Sequence, residues 1–227
     1  MAARTLARWI SLAGVELVGG LLVLTVAAWV FGAVAEDVVE GDTRLDTRLA
    51  DWLHDHASPG WTTFFEAVTF LGNVPTLAAV ALASAVVLAS KRRAAELQLL
   101  LLAAVGAQIL TLGLKLGFER ERPFFPDPLA TESSYSFPSG HASVSLAVYG
   151  TLGFILARHL DDRRAQIASL AAAAVLVGLI GFSRLYLGVH FLSDVVAGFS
   201  VGLAWVALCA VLLHLRVRFR ERRQTSR

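Results

Sequence analysis

Three short stretches of this chain carry residues whose types and spacing can do chemistry together. The first runs from Lys115 to Pro123 and holds Lys115, Arg120 and Arg122. The second is Ser136-Phe137-Pro138-Ser139-Gly140-His141, and the third runs from Ser183-Arg184 through His190 to Asp194. His190 and Asp194 stand four residues apart, so on a helix they share a face. The carboxylate can then accept the proton of one imidazole nitrogen and leave the other free to attack an electrophile. His141 has the chemistry to protonate a leaving oxygen and afterwards to activate water. Lys115, Arg122 and Arg184 have no evident acidic partner each, and gathered cations near hydrocarbon need a bound anion. Arg120 is a fourth cation, with Glu119 and Glu121 beside it to neutralise it. Pro138-Ser139-Gly140 reads as a helix start whose free N–H groups suit an oxyanion, Gly140 allowing close approach. A phosphoryl group fits both the charge and the fork geometry of two arginines.

These stretches act as one site only if the fold gathers them. Of the 227 residues, 56% are hydrophobic and 17% charged, with the apolar residues in long blocks, a membrane pattern. A helix needs about 20 apolar residues to cross a hydrocarbon core about 30 Å thick. Six blocks fit: Trp9–Ala35, Phe64–Ser90, Ala95–Phe118, Ser139–Arg158, Gln166–Tyr186 and His190–Leu215. Gly72-Asn73-Val74-Pro75 interrupts the second and predicts a kink or a short half-helix there. No internal repeat and no linker is evident. The expectation is one all-α domain over residues 1–227, an integral membrane six-transmembrane-helix bundle.

Basic residues set the expected orientation. With a cytoplasmic amino terminus, the outer segments hold only Arg44, Arg48, Lys115, Arg120, Arg122 and Arg184 of the 20 Lys and Arg. The positive-inside rule then puts both termini in the cytoplasm and all three chemical stretches at the outer face of the cell membrane. Charge counts alone produce that convergence. Arg4, Arg8 and Ala33-Val34-Ala35 imitate a secretory signal, but the apolar core far exceeds the usual ~7–15 residues, so a retained first helix is expected. Residues 42–56 place Leu45, Leu49, Trp52 and Leu53 on one face with acids opposite, as in a helix lying in the outer interface. The basic tail, residues 216–227, directly follows a membrane helix and suits anionic headgroups rather than nucleic acid. The single cysteine, Cys209, excludes a disulfide framework and a zinc cysteine set.

Taken together, the three stretches resemble the signature of the phosphatidic acid phosphatase type 2 family: K-x6-R-P, P-S-G-H and S-R-x5-H-x3-D. Lys115 to Arg122-Pro123, Pro138 to His141, and Ser183-Arg184 through His190 to Asp194 match all three parts with no departure in spacing. By that resemblance His190 is the nucleophile, Asp194 its partner and His141 the general acid. Lys115, Arg122, Ser139, Gly140 and Arg184 bind the phosphoryl group, without a metal or other cofactor. The signature contacts phosphate and not the lipid, but an outer-face site in a six-helix bundle suits a membrane lipid phosphomonoester or pyrophosphate: undecaprenyl pyrophosphate, phosphatidylglycerol phosphate or phosphatidic acid.

Other readings make different predictions. A phosphotransferase would share the phosphohistidine and differ only in its product. An anion-binding or transport protein would show no turnover for His190→Ala to abolish, and such folds favour inverted repeats and mid-membrane charges. A metal hydrolase could draw ligands from His141, His190 and Asp194, but the surrounding cations would repel a dication.

Overall fold

Apolar runs long enough to span a bilayer satisfy their backbone polar groups internally, and in this chain they do so as helices. The structure, a computed structural model, describes residues 2–225 and the side chains of residues 17–216. Arg4, Arg8, Glu16 and the tail cations from Arg218 onward lie outside those described side chains. The helices are α1 (Ala2–Glu40), α2 (Arg44–Asp55), α3 (Pro59–Phe70), α4 (Val74–Ser90), α5 (Ala94–Phe118), α6 (Gly140–Ser145), α7 (Thr151–Arg158), α8 (Arg163–Tyr186) and α9 (Leu192–Thr225). A π-helical turn, Leu146–Gly150, joins α6 to α7 in one continuous span.

Among the described residues, five helical spans are long and apolar enough to cross a membrane: Leu17–Glu40, Ala94–Phe118, Gly140–Arg158, Arg163–Tyr186 and Leu192–Arg216. Taken as one broken span, the pair α3 and α4, bent by 44° at the expected interruption, makes the sixth. Asn73 caps α4 by accepting the Thr76 N–H at 2.8 Å. Pro75 falls in the first turn, where a missing N–H costs nothing. Asp162 caps α8 in the same way, accepting the Ala165 N–H at 3.0 Å. The all-α, six-span membrane architecture expected from the apolar blocks is therefore the one observed.

Lipid tails are as apolar as leucine, so helices in a bilayer associate through close packing rather than hydrophobic expulsion. Ala103, Ala107 and Ala147 are fully buried where α5, the π turn and α9 meet. Helix α9 also approaches the backbone of α6 closely. A Cβ on Gly198 would lie 2.5 Å from the Ser139 carbonyl oxygen, and one on Gly202 would lie 2.6 Å from that of Ser143. The backbone of α9 thus rests directly on the start of α6, where the second chemical stretch begins.

Helix α2 departs from expectation in which face it buries. Asp46, Ala50 and Leu53 point inward, and Leu53 packs with Leu185 and Val195, Leu49 alongside. Leu45 and Trp52 remain 67% and 55% exposed. The apolar residues therefore do not form one packing face, and Asp46 is not among the outward acids. The inward stripe runs 46, 50, 53, and Asp46 is tolerated there because Arg120 and Ser193 satisfy it.

Candidate active site

Helix ends bring the chemical residues to one end of the bundle. Lys115 sits in the last turn of α5, which Glu119 closes in the left-handed region (φ 48°), its N–H donating to the Lys115 carbonyl at 3.0 Å. The chain then crosses the bundle end without regular structure until α6. Ser136 N–H donates to Arg120 O at 2.8 Å, and Ser139 N–H to Asp194 O at 2.9 Å. Arg184 lies in the last turn of α8. Gly188, at φ 68°, reverses the chain in a conformation few other residues adopt cheaply. The N–H groups of Val189 and His190 fold back onto the Arg184 carbonyl at 3.2 and 3.3 Å. That turn delivers His190 to the start of α9, where Asp194 follows one helical turn later.

Asp194 is fully buried and heavily supported. Its Oδ2 lies 3.3 Å from His190 Nδ1 and accepts from Ser136 Oγ and, at 2.8 Å, from the Phe191 N–H. Its Oδ1 accepts from Arg120 Nη1 at 2.6 Å. On the other edge of the imidazole, Nε2 stands 3.2 Å from Arg122 Nη1. A guanidinium has donors only, so Nε2 is the acceptor and the ring proton belongs on Nδ1, facing Asp194. The free lone pair therefore points toward the basic cluster. Burial pushes the His190 pKa down to about 4, the adjacent Asp194 opposing this and Arg122 and Arg184 adding to it. The ring is neutral near pH 7, as a nucleophile must be.

The cations are arranged around that lone pair. Arg122 donates to Ser134 O at 2.7 Å and Val189 O at 2.5 Å. Lys115 donates to Tyr135 O and lies 3.4 Å from Ser134 Oγ. Arg184 reaches Thr69 Oγ1 at 2.7 Å and Glu132 Oε1 at 2.5 Å. Its Nε and the Ser139 hydroxyl are buried without a hydrogen-bond partner among the described residues. Leaving such groups unmade costs about 1–3 kcal/mol each, and an anion oxygen would satisfy both. Gly140 opens α6, where a Cβ would meet the Thr111 side chain only at 3.8 Å. His141 follows in the same turn, its ring against the α3–α4 break at Gly72. Among the described residues it makes no hydrogen bond, and it lies within electrostatic reach of Arg184, His190, Arg122 and Lys115.

All eight residues singled out from the sequence thus gather at one end. Two pairings differ from the expectation. Arg184 does have an acidic partner, Glu132. Arg120 is neutralised by Asp46 at 2.8 Å and Asp194 at 2.6 Å, not by Glu119 or Glu121. Glu132 lies 52 residues from Arg184 in an irregular segment, and Asp46 and Asp194 each lie 74 residues from Arg120, so local spacing does not mark these pairings. Three further histidines have local partners. His54 pairs with Asp127, His56 with the Trp52 carbonyl and His159 with Glu96.

Comparison with known proteins agrees with this geometry. A family model described as "PAP2 superfamily" matches residues 95–218. Phosphatidylglycerophosphatase B of Bacillus subtilis is 40% identical over 127 residues, covering 55% of this chain and 62% of that protein, a little under two thirds of its length. Decaprenylphosphoryl-5-phosphoribose phosphatase of Mycolicibacterium smegmatis is 34% identical over 143 residues, covering 62% of this chain and 72% of that one. Among solved structures, the transmembrane PAP2-type phosphatidylglycerolphosphate phosphatase from Bacillus subtilis superposes with a TM-score of 0.71 at 29% identity. That alignment covers 86% of this chain and 94% of the other.

Proposed function

The chain belongs to the PAP2 superfamily, and we propose that it is a membrane lipid phosphatase that frees phosphate from phosphatidylglycerol phosphate through a phosphohistidine at His190. The observation that carries this reading is the imidazole held between Asp194 and Arg122, its unprotonated Nε2 aimed at a cluster of cations. Similarity in sequence and in structure to the Bacillus subtilis phosphatase of phosphatidylglycerol phosphate favours that lipid. Likeness to the decaprenyl-linked enzyme makes a polyprenyl phosphate or pyrophosphate the main comparison substrate.

In the proposed cycle, Nε2 of His190 attacks phosphorus in line as the bond to the lipid oxygen breaks. His141 gives that oxygen a proton, and the lipid alcohol leaves. Lys115, Arg122, Arg184, the Ser139 hydroxyl and the Gly140 N–H hold the equatorial oxygens, whose charge must be met in the transition state. His141, now a base, takes a proton from water, which attacks the phosphohistidine and releases inorganic phosphate. Asp194 keeps the ring proton on Nδ1 throughout. Three cations around the phosphoryl position disfavour a dication, which supports chemistry independent of metal.

The distribution of Lys and Arg supports a plasma-membrane orientation with both termini cytoplasmic and the site extracytoplasmic. A lipid could then enter sideways past the exposed Leu112 and Leu116 of α5. A substrate panel in detergent tests the reading: phosphatidylglycerol phosphate, polyprenyl pyrophosphate and phosphatidic acid at equal surface fraction, wild type against His190→Ala. Phosphate release fastest from phosphatidylglycerol phosphate, and abolished by the substitution, is expected. Faster release from the polyprenyl substrate would reassign the lipid, and no release from any of them would end the proposal.

A further inference from the structure

Behind the catalytic pair lies a chain of buried charges that the family signature does not contain. Arg120 has only 9% of its side chain exposed, Asp46 8% and Asp194 none. One guanidinium nitrogen of Arg120 bonds Asp194 Oδ1 at 2.6 Å and Ser193 Oγ at 2.6 Å. The other bonds Asp46 Oδ2 at 2.8 Å. Asp46 in turn accepts from the Ser193 backbone N–H at 2.9 Å and from the Ser193 hydroxyl. The Phe191 ring lies 4.5 Å from the guanidinium carbon and closes the remaining side.

Burying two carboxylates and a guanidinium is a poor way to gain stability, because apolar residues of similar volume usually do as well or better. The network's place against the catalytic pair suggests a role in the reaction instead. The geometry identifies that role. Arg120 occupies Oδ1 of Asp194, which leaves Oδ2 as the oxygen that meets His190 Nδ1, Ser136 and the Phe191 N–H. Asp46 holds Arg120 in place and pins the first turn of α9 through Ser193. It comes from α2, the same helix that turns Leu45 and Trp52 outward.

We propose that Asp46 and Arg120 are positioning residues for the phosphatase reaction, fixing the Asp194 carboxylate so that the His190 lone pair stays in line with the phosphoryl group. This inference rests on His190 being the nucleophile. Neither residue hydrogen-bonds Lys115, Arg122, Arg184 or Ser139, so their loss should slow the chemistry while leaving anion affinity intact.

The test uses the full-length protein in detergent with Asp46→Asn, Arg120→Gln and Arg120→Lys, plus the double variant of the first two. Each is assayed for phosphate release, for phosphohistidine formation and for direct vanadate binding. Asp46→Asn and Arg120→Gln should each lower kcat about 10- to 100-fold, the range for outer partners that orient metal-bound histidines. KM and vanadate affinity should stay within about twofold of wild type. Arg120→Lys, which keeps the charge, should recover part of the loss. Because Asp46 and Arg120 act through one carboxylate, the double variant should be no worse than the poorer single. The pH profile gives a readout that general destabilisation would not move. The charges facing His190 are Asp194 on α9, Arg122 in the crossing segment and Arg184 on α8, with Arg120 and Asp46 behind Asp194. Removing the Arg120 charge strengthens the hold of Asp194 on an imidazolium, so the acid limb of kcat/KM should move to higher pH. Unchanged kcat in both single variants, or vanadate affinity lost in step with kcat, would overturn the proposal. A wild type that turns over without a phosphohistidine would instead remove the nucleophile assignment beneath it, a separate outcome.

Discussion

At the residue scale, the proposed reactivity rests on one ring caught between opposite demands. Asp194 holds the proton on Nδ1 while burial and two arginines keep the ring from taking a second proton. His190→Ala and Asp194→Asn are each expected to lower kcat at least ~100-fold, the low end for such groups. Steady-state phosphate release checks both. The folded pKa of about 4 also sets a pH limit. The active form is the neutral ring, so kcat/KM should hold steady down through pH 6 and fall only as pH approaches about 4. A fall centred near 6.5, the ordinary histidine value, would mean that the ring is not held as described. Glu132 supplies a further check. Its carboxylate sits on Arg184, where an anion oxygen would otherwise bind. Glu132→Gln should therefore tighten vanadate inhibition several-fold, and inhibition that weakens would count against that placement.

At the scale of elements, the site is assembled by helix ends and held by close backbone contact. Gly198 lets α9 rest on the Ser139 carbonyl. Gly198→Leu should force the two apart, at the ~1–3 kcal/mol typical of overpacking, and lower both the thermal midpoint in detergent and vanadate affinity. Much of this level is readable from sequence, because spans are set by apolar length and the α3–α4 bend by Asn73 and Pro75. The proposed phosphate-binding residues are readable too: Lys115, Ser139, Gly140 and Arg184 stand at helix ends, and Arg122 follows α5 by a few residues. What spacing does not carry is pairing across the fold. Asp46 looks like one acid among several on α2, and only the neighbouring positions of Arg120 and Ser193 make it an inward residue. Glu132 is hidden for the same reason, lying in a segment without periodicity that only the tertiary structure lays against Arg184.

At the scale of the whole molecule, everything depends on all three stretches meeting at one end of the bundle and on which side of the membrane that end faces. The fold supplies the first, and charge distribution argues for the second. Cys209 is the only cysteine and is buried, so engineered thiols report side cleanly. A thiol at Ser133→Cys in the crossing segment should react with an impermeant reagent in intact cells. One at Lys91→Cys, between α4 and α5, should react only after permeabilisation. The reverse pattern would invert the topology. The most direct test of the central claim is to trap the enzyme during turnover with lipid carrying labelled phosphate, quench in base and map the label. Base-stable, acid-labile phosphate on the peptide containing His190, absent from His190→Ala, is the predicted result. Label on another residue, or full turnover by His190→Ala, would contradict the account.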